Sequence, residues 1–407
     1  RFHPSAFILP PSGETMTRAV NYRELKRLYE TMGSKEVCRH LRESLADGHL
    51  RPEDFSLRDL AEATIPDGRE FVPLLDPRSK AGGIDLMEAA DAVDTATFSN
   101  ITGQIVFSKI MEGFSSEAFV AGRMVETVPT RFSGEKIPGI GQMGDAAESI
   151  DEGHPYPNVG LTEDYIETPA TTKRGMIVPV TKEAIFFDRT HLVLQRAGEV
   201  GEFLGLNKEK RLLDCIIDGN VTDHRYKWRG AIYATYQSAA PWINVKSTNP
   251  LVDWTDVDAA EQLLANITDP NTGEPVLIMA DTILVCPESL HSARRIVDAT
   301  EIEQVDNQQN AKTVRTLAPN PMAGSYRVVS SRLLRSRLTA AGQATSNWYL
   351  GNFRKAFAYM ENWPITVTQA PQNSEAEFTQ DIMIRFKASE RGAAATLEPR
   401  YVVKSTA

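Results

Sequence analysis

No apolar run in this 407-residue chain approaches the roughly 20 residues a membrane helix needs, so no membrane-crossing helix is expected. Cysteine is scarce. Cys38, Cys215 and Cys286 stand far apart, with no CxxC pair and no Cys/His cluster. That excludes a zinc-finger-like site and a disulfide-stapled secreted scaffold. Positive charge is in deficit: 44 Lys and Arg face 54 Asp and Glu, a net charge of −10. A protein that grips DNA through its phosphates needs a basic surface, so such binding is not expected. Catalytic signatures are missing too. There is no GxxxxGK[ST], GxSxG or HExxH, and no internal repeat. His191 and His291 read as surface or capping histidines, not ligands. No catalytic residue, cofactor or metal is therefore assigned.

What is present is ordinary globular material, 42% hydrophobic and 24% charged. The length exceeds the single-domain range, so at least two packed units are expected. Residues 1–65 read as an extended lead and charged helices. Leu25, Leu28, Tyr29 and Met32 fall at helical spacing, Gly48 is a stop signal, and Ser56 with Asp59 opens a further helix. Residues 66–97, rich in Pro, Gly and Asp, read as an extended arm with little core of its own. Helical character resumes at 98–121, where Ile105, Ile110, Phe114 and Phe119 are expected to be buried.

Two extended runs follow, on either side of a polar, acidic stretch at 139–163. The second alternates, with Ile166, Thr168, Ala170 and Thr172 facing one way. Together they predict a long hairpin, and its prolines predict edge positions. Asp145, Glu148, Asp151 and Glu152 in the tip lack the spacing of a calcium loop. Residues 183–218 predict one long helix, with Val193, Ala197, Val200 and Leu204 on its apolar face and Asp188 or Thr190 capping its start. Residues 221–345 alternate helix and strand, including ILVC ending at Pro287 before the helix SLHSARRIVDA. Residues 346–407 are strand-rich. The five tryptophans, Trp228, Trp242, Trp254, Trp348 and Trp363, are scattered and read as core or interface anchors.

This order of parts resembles the major capsid proteins of tailed phages and prophages, whose fold is the α+β Hong Kong 97 type. The residues that carry the resemblance are DYIETPATTKRGMIVPVTKEAIFFDRTHLVLQRAGEVGEFLGLNKEKRLLDCIIDGN, with the Asp218-Gly219 ending, then ILVCPESLHSARRI, NWYLGNFRKAFAYMENWPITVTQ and FKASERGAAATLEPRYVVKS. The resemblance covers about residues 66–407. It implies an N-terminal helical extension (1–65), an N-arm and entry helix (66–123), an E-loop hairpin (124–180), a peripheral domain with a spine helix (181–224), an axial domain (225–345) and return strands of the peripheral domain (346–407).

The function so implied is a non-enzymatic virion subunit, made in a bacterial cytoplasm. It would assemble with its own copies into pentamers and hexamers of an icosahedral shell around double-stranded DNA, without sequence-specific binding or a membrane. Scaffold, portal and decoration proteins are the implied partners. An encapsulin-like or gene-transfer-agent shell is the alternative, and an enzyme with an unrecognised hydrolytic site the remote one. Subunit-contact candidates are Asp145, Glu148, Asp151 and Glu152 at the hairpin tip, Lys173 and Arg174 on its returning strand, and Arg78 and Lys80 on the arm. The tip has no lysine, so a shell without covalent cross-links is expected. Residues 1–65 are expected to be an ordered extension of the arm in preference to a removable scaffolding segment.

Overall fold

A computed structural model describes residues 20–65, 92–138, 165–219, 225–269, 273–307, 313–370 and 382–406. In chain order the helices are α1 (Tyr22–Met32), α2 (Ser34–Ala46), α3 (Leu57–Thr64), α4 (Ala92–Phe114), α5 (Ala121–Met124), α6 (Lys182–Phe186), α7 (Thr190–Ile216), α8 (Trp254–Ala265), α9 (Leu290–Asp298), α10 (Arg332–Ala340) and α11 (Phe353–Ala356). The strands are β1 (Glu126–Pro129), β2 (Lys136–Pro138), β3 (Tyr165–Glu167), β4 (Thr172–Thr181), β5 (Tyr226–Trp228), β6 (Ala231–Tyr233), β7 (Val245–Lys246), β8 (Thr282–Val285), β9 (Glu301–Asn307), β10 (Thr313–Pro319), β11 (Arg327–Ser330), β12 (Trp348–Gly351), β13 (Phe357–Gln369), β14 (Ile382–Thr396) and β15 (Val402–Ser405). The fold is α+β. Its described residues divide between two compact units, each drawn from three separated stretches: Arg1–Ser116, Lys173–Leu206 and Pro364–Glu390 for the first, Glu117–Thr172, Asn207–Trp363 and Arg391–Ala407 for the second.

The first unit is a helical layer with an apolar core. Asn21 caps α1 by accepting the Glu24 N–H, and Gly33, at φ +81°, separates α1 from α2. Ser56 caps α3 as its spacing predicts, its hydroxyl accepting the Asp59 N–H at 3.1 Å. Along α4, Phe98, Ile101, Ile105, Val106 and Ile110 form one buried stripe. Phe114 and Phe119 are only half-buried, because α4 ends at Phe114 and the chain turns there. The stripe packs against Leu25, Leu41, Leu50 and Leu60 from the N-terminal helices and against Val193, Ala197 and Val200 of α7. The α4–α7 crossing is glycine-mediated. A Cβ on Gly201 would lie 2.0 Å from the Ile110 carbonyl oxygen, and one on Gly113 would lie 2.3 Å from that of Gly198. Only glycine permits so close an approach of two backbones.

The helix expected over 183–218 is two helices. α6 stops at Phe186, Asp188 takes a left-handed conformation at φ +47°, and α7 begins at Thr190. The Arg189 N–H reaches back to the Ala184 carbonyl and the Asp188 N–H to that of Ile185, a Schellman ending. The Asp188 carboxylate accepts hydrogen bonds from the Ser56 and Thr190 hydroxyls, at 3.1 and 2.7 Å, and these hold the unfavourable turn.

The second unit is built on a five-stranded sheet of order β11-β8-β12-β15-β7. β8 and β11 are parallel, joined by a crossover through α9 and the β9–β10 hairpin, while β12 is antiparallel to both β8 and β15. Side chains alternate across it. Ile283, Val285, Trp348, Leu350 and Val403 face α8 and α9. Leu284, Cys286, Tyr349 and Val402 face α10 and the end of α7 (Leu212, Leu213, Ile216, Ile217). Both faces are covered, which is why ILVC and WYL read as continuous apolar runs. Each of these side chains contributes roughly 1.5–3 kcal/mol by leaving water. Since β12 and β15 belong to this sheet, the segment expected as return strands, 346–407, is shared between the two units.

α7 ends as the Asp218-Gly219 pair suggests. Asp218 sits at φ +51°, and the Gly219 N–H reaches the Asp214 carbonyl. The helix's last carbonyls are taken by side chains: Tyr236 Oη donates to Ile216 and Gln343 Nε2 to Ile217.

Candidate assembly surfaces

In the second unit, β2 pairs with β3 in antiparallel register, Ile137 opposite Ile166. The sheet continues through β5 and β6. The turn between β5 and β6 is the two-residue Arg229-Gly230, at φ +50° and +80°, as a tight hairpin demands. The two strands that flank residues 139–164 are thus partners, which is the base of the hairpin read from the sequence. Asp145, Glu148, Asp151 and Glu152 lie outside the described residues, as do Arg78 and Lys80. The alternation expected from Ile166 to Thr172 is interrupted. Ile166 and Thr168 are buried, but Ala170 and Thr172 are exposed, because β3 ends at Glu167 and β4 begins only at Thr172.

Behind this small sheet Tyr226, Trp228, Tyr233 and Trp242 cluster, with ring centroids 5.3–6.2 Å apart. Two of the supposedly scattered tryptophans therefore meet. Their separation of 14 positions in the chain hides this, since a hairpin turn and a loop fold between them. The prolines behave as expected. Pro129, Pro138 and Pro179 all lie in edge strands, β1, β2 and β4.

Lys173 and Arg174 stand at the start of β4, in the first unit. Lys173 is exposed and Arg174 half-buried. Further along the same strand Met176 and Ile177 are 41% and 55% exposed. An outward apolar pair on an edge strand is a liability for an isolated chain. In the second unit the stretch leading into β8 alternates between its own core and the outside. Val276 is buried and Ile278 packs on the core, while Leu277 and Met279 are 89% and 85% exposed. On β10, Leu317 is 73% exposed. Covering Leu277 and Met279 with a partner would gain roughly 1.5–3 kcal/mol each.

Buried charge in the second unit is structural. Glu209, 1% exposed, accepts the Val120, Ala121 and Gly122 N–H groups at 2.9, 2.9 and 3.3 Å, capping α5 from a distance in sequence. Arg400 forms a two-pronged pair with Glu398, both contacts 2.7 Å, and lies 3.5 Å from Asp269. Burial alone would lower the guanidinium's pKa, but the hydrogen bonds and charge of Glu398, with the charge of Asp269, raise it. Sequence reading missed all four residues, since nothing local marks them as buried.

The Ser56 hydroxyl accepts the Asp59 N–H in the α3 cap and donates to Asp188. His191 and His291 are exposed, and no three His, Cys, Asp or Glu side chains converge in a metal-binding group among the described residues.

Residues 165–405 match the sequence profile of a family described as phage capsid protein. No curated protein matches the chain. Among solved structures, the chain is similar to the capsid of a native gene-transfer-agent particle, at 10% identity and a TM-score of 0.44, over 71% of this chain and 90% of that one. It is similar to Gordonia phage Cozz, at 9% identity and 0.41, over 71% and 86%. It is also similar to the SrpI encapsulin complex of Synechococcus elongatus PCC 7942, at 12% identity and 0.38, over 71% and 87%.

Proposed function

The chain belongs to the phage capsid protein family and is a capsid shell subunit, and from that premise we propose that it is the major head protein of a tailed phage or prophage. The family match is the observation that carries this reading. It runs from β3, at the base of the hairpin, through α7 and the five-stranded sheet to β15. The fold type we assign is Hong Kong 97-like. Copies assemble into pentamers and hexamers and then into a closed icosahedral shell around double-stranded DNA. The shell is held by overlap, many weak contacts summing by multivalency. The subunit has no catalytic duty. Scaffold, portal and decoration proteins are its partners in the head, and assembly takes place in the bacterial cytoplasm.

The exposed apolar residues on β4, before β8 and on β10 support this reading, as each costs the lone chain solubility and gains a purpose in a shell. Lys173 and Arg174, with the acidic tip and the arm residues Arg78 and Lys80, are the proposed charged contacts between neighbours. Electron microscopy of the purified protein under assembly conditions tests the proposal. Uniform icosahedral particles are the expected result; monomers or small oligomers alone would overturn it. On a denaturing gel such particles should run as the monomer. A ladder of covalent multimers would rule out a shell held by overlap alone.

A further inference from the structure

Residues 276–281 lead into β8 as an overhang of the five-stranded sheet. β8 itself lies between β11 and β12. Asp281 is still held by both neighbours: its N–H donates to the Gly351 carbonyl, and its carbonyl accepts the Arg327 N–H. β12 ends at Gly351 and β11 begins at Arg327, so neither continues alongside the residues before Asp281. Val276 donates to the Ile267 carbonyl. Between these two anchors, the backbone groups of Leu277, Ile278, Met279 and Ala280 meet no hydrogen-bond partner among the described residues. The side chains alternate. Val276 is buried and Ile278 rests on the core, while Leu277 and Met279 are almost wholly exposed. Unpaired peptide groups behind two outward apolar side chains make an open strand, and a sheet extends at such a place by accepting a strand from outside.

Charge says what kind of strand. The same alternation puts Asp281 on the side of Leu277 and Met279. Arg327, paired with Thr282, falls on the opposite face. Tyr326, one position before Arg327, has its hydroxyl hydrogen-bonded to Glu261. Burial pushes that hydroxyl up, and the charges that act on it, Glu261 and Asp258, are both carboxylates that push it further. Asp281 and Glu261 are exposed. From residue 247 to residue 293 the chain has no Lys or Arg to answer them.

We propose that residues 277–280 take up an extended segment of a second protein, one that alternates apolar and basic residues. Its peptide groups pair with the open ones. Its apolar side chains lie level with Leu277 and Met279, and its cations meet Asp281 and Glu261. The inference goes beyond the shell reading by assigning this apolar site to an added protein and not to a neighbouring copy.

The test uses full-length protein and a fluorescein-labelled peptide, Lys-Val-Thr-Val-Lys-Val-Thr-Val-Lys. Two controls replace every Lys by Glu, or the central Lys and the Val on either side of it by Pro, which cannot donate to a strand. Fluorescence anisotropy at low salt should show saturable binding of the basic peptide. Both controls should bind at least ~tenfold more weakly. Leu277→Ser with Met279→Ser should weaken the basic peptide at least ~tenfold. Both side chains are exposed, so the fold should be unchanged by circular dichroism. Asp281→Lys should narrow the preference for the basic over the acidic peptide at least ~threefold.

No saturable binding, equal binding of the acidic or the proline peptide, or undiminished binding to the serine variant would overturn the inference. So would an unchanged preference in folded Asp281→Lys. Binding to dissociated chains but not to assembled particles would overturn it as well, since a copy of the chain would then fill the strand. Failure to form particles at all would count against the shell reading and leave the peptide result standing.

Discussion

The two units bury different things. The first fills its interior with aliphatic and aromatic side chains, and apart from Glu390 the polar residues it buries are hydroxyls such as Ser44, Thr64 and Thr102. The second has apolar layers too, but threads charge through them: Glu209, Asp269, Glu398 and Arg400 are all under 9% exposed. Asn244 in the same unit donates through one amide group to the carbonyls of Thr235, Pro399 and Val402. An apolar core tolerates small shifts at modest cost, whereas a buried ion pair is strongly punished when one partner is lost. The first unit should therefore fail by losing surface area or by overpacking. The second should fail by orphaning a charge.

The largest effect should come from starting the chain at residue 66. Residues 20–65 supply twelve of the thirty core side chains described in the first unit. At roughly 1.5–3 kcal/mol each, their loss exceeds the ordinary stability of a domain. Protease should then digest the first unit while fragments of the second persist; an intact first unit would show these helices to be dispensable. Next is Glu398→Leu, which removes the two-pronged partner of the buried Arg400. It should cost about 3–5 kcal/mol in urea unfolding, read from a probe in the second unit. A loss under about 1 kcal/mol would mean that the pair is not structurally critical.

Gly201→Ala should follow. Its Cβ has no room against the Ile110 carbonyl, so α4 and α7 must part, at about 1–3 kcal/mol. An unchanged melting temperature would contradict the close crossing. The smallest perturbation is thiol labelling of native protein at pH 8. Burial pushes the Cys215 thiol up to about 12 and that of Cys286 up to about 11, and both are buried in the second unit. A group raised in this way stays protonated well above pH 8 and does not attack. Cys38, half-buried in the first unit and raised less by its burial, should react first. Equal rates for all three would erase this contrast.

The sequence carried the local signals well. The Ser56 cap, the strand-Pro-helix around Pro287 and the ending at Asp218 all depend on residues within a few positions of one another, and each appears where the spacing put it. Asp188 was legible as a cap beside Thr190, but its left-handed turn was not, because the break has neither Gly nor Pro. Its left-handed turn is held by Ser56, more than a hundred positions away. The N-terminal helices were visible as helices, but their place in the core was not, because amphipathicity does not say what the apolar face meets. Buried Glu209 and Arg400 look like any surface charge until their partners are known. Of the contact candidates, only the exposed Lys173 and the half-buried Arg174 fall among described residues.

Each unit's division among three stretches of chain has a consequence in time. The helices at 20–65 are made well before Ile384, Phe386 and Ala388, which complete their core from more than three hundred positions further on. The second unit likewise waits for β15 to fill the middle of its sheet. Neither unit can close before these late stretches have been made. Long-range closure of this kind is slow and leaves apolar surface open meanwhile. A nascent chain thus has no finished edge to offer a neighbour, and association is deferred until β15 has emerged.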